Sequence, residues 1–402
     1  MFASSFSPVS ILRRAVSMAA LLVGLTQCGD SEKGPVGLHD QRIESFAGGH
    51  VKLVWTQTAA AGECDTFATS NRLLLMGLDT RDGRGERKVL EKTANYSRPL
   101  LSPDGATILF TDKGVTRDGK VKSFDPVIYL TDWTGRAPER IQEGYACDIW
   151  RDPKTGRDWV YAVTGLEPTP QLALLGNRLV RFLLEDPSAV EVVLENTPVC
   201  PDNIQLSRSG RGMSAQAPWP KAGLFKIGKE GECRFLRRDS GCWTSLAPDD
   251  SELLWVLQGD HRHVNMIRRG SDERWLLDLA LGPEIKGGEI YHPRWSNHAR
   301  FIAMTGPYIL PGADGESGSV VFNGGAHAQV VLGRLSEDAR SVELWTTASL
   351  GAGGVSYPDL WISGGESAEL SASARDPRGK DGGEAESRPF HSIQNFQKTT
   401  LK

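Results

Sequence analysis

The chain has 402 residues, of which 39% are hydrophobic and 24% charged, with a formal net charge of −4 at pH 7. That is enough apolar material for one large β domain or two ordinary ones. The small net charge and the lack of a long basic run exclude a general attraction to nucleic acid.

Residues 1–28 read as an export signal. Arg13 and Arg14 supply positive charge, and residues 15–27 are apolar but too short to span a bilayer. The segment ends at Leu25-Thr26-Gln27-Cys28 and resembles the lipobox of bacterial lipoproteins. That resemblance implies acylation at Cys28, attachment to a lipid bilayer through the acyl group, and a periplasmic or extracellular location in the cell envelope. A plain secretory signal is the alternative. Residues 29–50 are polar and Gly-containing, as expected of a flexible tether.

From Val51 the chain reads as short strands and tight turns with no sustained helical periodicity. Three strands come first, at 51–57, 72–78 and 87–90. Next is the clearest unit, residues 97–112, in which Leu100, Leu101, Ile108, Leu109 and Phe110 flank the turn Ser102-Pro103-Asp104-Gly105. Pro sets φ in such a turn and Gly accepts positive φ. Strands at 127–131 and 139–142 complete this unit. Weaker copies follow at 146–194, 203–237, 243–277 and 292–345, each readable as four strands, A to D. A lone A strand, 357–362, remains at the far end.

The turns Ser102-Pro103-Asp104-Gly105 and Ala247-Pro248-Asp249-Asp250, and the runs Pro99-Leu100-Leu101-Ser102 and Pro293-Arg294-Trp295-Ser296, resemble the repeats of TolB-type β-propellers. The copies at 146–194 and 203–237 depart most, with Arg151-Asp152-Pro153 and Ser207-Arg208-Ser209 in the turn. The expected fold is therefore all-β: a six-bladed propeller over 51–364 made of four-stranded antiparallel blades. The ring closes by pairing the N-terminal strands B, C and D with the C-terminal strand A, which leaves no long open sheet edge. Residues 365–402 are Gly-, Ser- and charge-rich, and are expected to be a disordered polar tail.

In such blades the A–B turns lie on one face and the B–C connections on the other. The long B–C connections, 58–71, 113–126, 165–177 and 307–328, make their face the expected binding surface. The starts of the A strands ring the channel mouth there: Arg98, Asp148, Asn203, Trp243, His292 and Tyr357. A polar and aromatic ring suits a small polar ligand or a peptide tail, and equally suits strand-end amides and channel water.

Five cysteines follow Cys28 with no CxxC pair. Cys147 and Cys200 precede neighbouring A strands and are the disulfide candidate, with buried thiols as the alternative. His263, His292 and His327 cluster in the later units. Oligogalacturonate-type polysaccharide lyases, a related propeller family, use a His-rich metal site, and by that resemblance these three would hold a divalent metal.

Two functions follow. The first is a non-enzymatic envelope protein without a cofactor, which binds or scaffolds a protein or glycan partner. The second is a metal-assisted polysaccharide lyase or hydrolase centred on the histidines.

Overall fold

The computed structural model describes residues 38–60, 62–63, 72–114, 116–117, 120–121, 126–168, 174–228, 233–235, 239–268, 273–282, 285, 288–309, 325–346 and 353–370. The expected export signal, Cys28, Cys64, most of the long B–C connections and residues 371–402 lie outside them.

The chain is an all-β propeller built of antiparallel sheets. One four-stranded sheet orders Val355–Ile362, Val51–Thr58, Leu73–Asp79 and Arg87–Ala94. The seam between its first two strands is the expected ring closure, with Val51 opposite Ile362 and Gln57 opposite Val355. Three more sheets repeat the A-B-C-D order, beginning at Tyr96–Leu101, Cys242–Leu246 and Glu289–Trp295. Where the sequence suggests two further separate blades, the structure has a nine-stranded sheet. The cause is one long strand, Asp186–Leu206. It pairs with Leu174–Leu183 through its first part and with Gly212–Gln216 through its last.

A strands are buried along most of their length, whereas outer strands such as Glu139–Glu143 are largely exposed and charged. Charge on an outer edge discourages pairing with another chain. Core side chains fill the spaces between neighbouring sheets. Trp255 and Trp295, for example, stack with ring centroids 4.0 Å apart.

Indoles also tie sheets to turns. Trp361 Nε1 donates to the Pro103 carbonyl at 2.8 Å, and Trp150 Nε1 donates to the Arg208 carbonyl at 2.9 Å. Both acceptors sit in the A–B turn of another A strand.

Two expectations are corrected here. Residues 29–50 are not simply a tether, because Leu38–Ala47 form a helix, α1. Ile43, Phe46 and Ala47, at i, i+3 and i+4, pack it on the propeller, and Phe46 meets Phe301 and Trp345. Nor does the polar tail start at 365. Residues Gly365–Ser367 form a 3-10 turn, and Leu370 is 2% exposed.

Candidate functional site at the two ends of the channel

Arg98, Trp243, His292 and Tyr357 occupy equivalent places in four A strands. All four have positive φ, at 43°, 36°, 53° and 52°. Strand pairing slips at each of these places. These are β-bulges, which turn a side chain away from the sheet plane. Pro99, Pro293 and Pro358 follow three of them, and Pro brings no N–H that would need a ladder partner. Left-handed geometry costs a non-Gly residue roughly 1–2 kcal/mol.

The bulges bring these four side chains together around one cavity at the B–C end of the channel. They also fill it. The His292 and Tyr357 rings lie 4.1 Å apart, and those of Trp243 and His292 5.4 Å apart. His292 Nδ1 bonds Thr305 Oγ1 at 3.1 Å. Arg98 is 6% exposed; its Nε donates to the Cys147 carbonyl at 3.2 Å, and its Nη1 lies 3.6 Å from Asp202. Tyr145 Oη donates to the same Asp202 at 3.1 Å. Burial pushes the Tyr145 and Tyr357 hydroxyls well above the usual tyrosine range. The remaining space is about 20 Å³, room for little more than one water.

Asp148 is not in this ring. Lining up Ala146-Cys147-Asp148-Ile149-Trp150 with Tyr357-Pro358-Asp359-Leu360-Trp361 matches the two tryptophans that cap turns, and puts Ala146 at the mouth position. Asp148 then matches Asp359, in the middle of the channel. There Arg294 Nη2 donates to Asp148 Oδ1 at 2.5 Å and Nε to Asp359 Oδ1 at 2.9 Å. The second oxygens accept backbone N–H groups of the next A strands, Leu206 for Asp148 at 2.7 Å and Leu101 for Asp359 at 2.8 Å. Burial pushes both carboxyls above the usual range, against the pull of Arg294. Beside this cluster the Gln205 amide bonds Ser245 and the Trp295 carbonyl. The side chain of Asn203, the remaining expected mouth residue, is outside the described residues.

Gln205 and Arg294 line the first cavity on one side and a second, larger one on the other. The second holds about 150 Å³ and opens among the A–B turns, on the face opposite the expected one. Its wall carries Trp150, Trp361 and Pro248, and its rim Ser207, Arg208 and Glu366. Sequence reasoning missed Arg294, Asp359 and Arg208. Aligning the A strands on their turns, rather than on their first residues, would have found the first two.

The disulfide expectation is also corrected: Cys147 and Cys200 are both buried, and no disulfide joins them. Cys147 Sγ–H donates to the Tyr145 carbonyl at 3.2 Å, and burial pushes the thiol up, so it packs as a small apolar group. The three histidines are not brought to one point. Among the described residues no three His, Cys, Asp or Glu side chains form a group able to hold a metal. His263 lies between Asp260, at 2.5 Å, and Asp278, at 3.6 Å, while His292 faces Thr305 in the channel.

The chain matches no protein-family profile and no curated protein. Among solved structures it is similar to TolB from Acinetobacter baumannii, at 14% identity and a TM-score of 0.46, over 80% of this chain and 70% of that one. It is similar to an oligogalacturonate lyase in complex with manganese, at 11% identity and a TM-score of 0.40, over 58% and 68%. It is also similar to the β-propeller domain of Cps50 (Swd1) from Myceliophteria thermophila, at 14% identity and a TM-score of 0.35, over 62% and 94%.

Proposed function

We propose that the chain is an exported, non-enzymatic binding or scaffolding protein of the cell envelope. It presents the turn-side well of a six-bladed propeller to a protein or glycan partner. In this reading the nine-stranded sheet is two blades. The strand Asp186–Leu206 ends one and begins the next, and Cys28 carries the acyl anchor.

The well carries the proposal. It is the larger of the two channel cavities, and side chains from five A–B turns converge on it. Asp148 and Asp359, the carboxylates on its floor, each have one oxygen on Arg294 and one on a backbone N–H. So engaged, they serve the architecture and not acid–base chemistry.

A photo-reactive amino acid at Thr155, on the turn face, tests the reading against one at Asn177, near the start of a C strand. Thr155 is expected to cross-link a discrete envelope component in cells and Asn177 is not. Cross-linking from Asn177 alone overturns the choice of face. The anchor is tested separately: a Cys28→Ala protein that stays with membranes removes the lipoprotein claim.

A further inference from the structure

The charged groups around the channel are nearly all matched. Arg98 has Asp202, Arg151 has Asp104 and Asp158, and Arg294 has Asp148 and Asp359. Arg208 is different. It is one of the residues lining the well, it is half-buried, and no carboxylate lies within 4 Å of its guanidinium among the described residues. Among the described residues its side chain makes one hydrogen bond, from Nη2 to the neutral Ala368 carbonyl at 2.8 Å. A guanidinium has five N–H donors arranged to grip a planar anion.

The backbone holds Arg208 in place from both sides. Its N–H donates to the Pro248 carbonyl at 2.8 Å, and its carbonyl accepts the Trp150 indole N–H at 2.9 Å. A partly dehydrated, pre-positioned cation is the usual protein contribution to a carboxylate site. The surrounding space is about 150 Å³ and its walls include two indoles, which suits a benzene-sized apolar group.

We propose that the well binds a carboxylate carried on a small apolar group, with Arg208 as the gripping residue. The proposal rests on the well being the partner-binding end, and it defines what part of the partner enters. Such a group exists at the C-terminus of a peptide with an apolar last residue and in free aromatic acids. The anion takes the donors that Ala368 leaves unused. Glu366, on the rim and without an ion-pair partner among the described residues, lowers the affinity by like-charge repulsion.

Benzoate is the probe, titrated into the purified full chain and followed by tryptophan fluorescence and by NMR shifts of the indole N–H groups. Saturable binding with a Kd of about 1 mM is expected, and benzyl alcohol, of the same size but uncharged, should bind at least about tenfold more weakly. Arg208→Gln should weaken benzoate about tenfold or more, and Arg208→Lys, which keeps the charge, only a few-fold. Glu366→Gln should tighten it about twofold. Equal binding of benzyl alcohol, no saturation by 50 times the expected Kd (about 50 mM), or an Arg208→Gln protein that melts normally and binds benzoate undiminished each overturns the proposal. A peptide with a free C-terminal Phe and its amidated form, run in parallel, distinguish a peptide end from a free acid. If benzoate binding fails while Thr155 still captures an envelope component, only the carboxylate assignment falls. Capture failing with benzoate binding intact refutes the envelope partner instead.

Discussion

Gly210 lies flat against the indole of Trp150: a Cβ on Gly210 would stand 2.4 Å from Trp150 Cζ2. The glycine is also at φ +69°, so two demands meet in one residue. Gly156 isolates one of them, since its φ is +70° but nothing lies within 4 Å of its Cβ position. Gly156→Ala should cost about 1 kcal/mol, the backbone share alone. Gly210→Ala should cost about 2–4 kcal/mol, because the indole must also move. Urea unfolding of the two variants checks the difference, and equal losses would show that the indole yields freely.

Among the described residues Arg294 is the only cation directly bonded to both Asp148 and Asp359. Arg294→Met should cost about 3–5 kcal/mol at pH 7, since two buried carboxylates lose their counter-charge. Acidification should shrink that loss. Burial raises both carboxyls in the folded protein, so the folded state takes up protons at a higher pH than the unfolded chain does, and stability gained from that uptake appears as pH falls. The variant should therefore lie closer to the parent at pH 5 than at pH 7. A gap that does not change with pH contradicts this account.

His298 works in the opposite direction. Burial pushes it down to about 4, aided by the charges of Arg300 and Arg208. Its Nδ1 accepts the Arg300 backbone N–H at 3.1 Å, a bond that protonation would break. The unfolded chain binds this proton near pH 6.5 and the folded protein only near 4, so stability present above pH 6.5 is lost as pH falls towards 4. Urea midpoints between pH 7 and 4.5 should fall less steeply in His298→Gln than in the parent.

Helix α1 makes a simple stability prediction. Ile43 is fully buried, and Arg42 beside it is exposed. Ile43→Ala should cost about 2–4 kcal/mol and Arg42→Ala almost nothing. Thermal melts distinguish a docked helix from a loose tether, in which the two substitutions would be equally silent.

Most of the architecture was legible in the sequence, because turns such as Ser102-Pro103-Asp104-Gly105 and alternating apolar residues such as Ile108 and Phe110 encode local geometry. The lone strand at 357–362 also pointed correctly to closure against Val51–Thr58. The continuous strand Asp186–Leu206, where the sequence suggests separate blades, was not legible, since its pairing changes partner without a turn. Helix α1 was hidden because three apolar contacts, Ile43, Phe46 and Ala47, suffice to dock it. At the channel, Arg98, Trp243, His292 and Tyr357 line one cavity, but strand pairing gives no measure of free volume. Large side chains close that end, whereas the A–B turns spread apart at the other. Asp148 was misplaced by the bulge between Ala146 and Asp148, where one extra residue shifts every later side chain along the strand.

The ring seam also has a temporal meaning. Thr56 Oγ1 donates to the Ser356 carbonyl, 300 residues further along the chain. Until Val355–Ile362 has been synthesised, Val51–Thr58 lacks one neighbour and offers an open, apolar edge. Contacts so distant in sequence form late, after the entropy of closing a very long loop has been overcome. A polypeptide interrupted before residue 355 therefore keeps an unpaired, apolar strand edge that a finished one conceals.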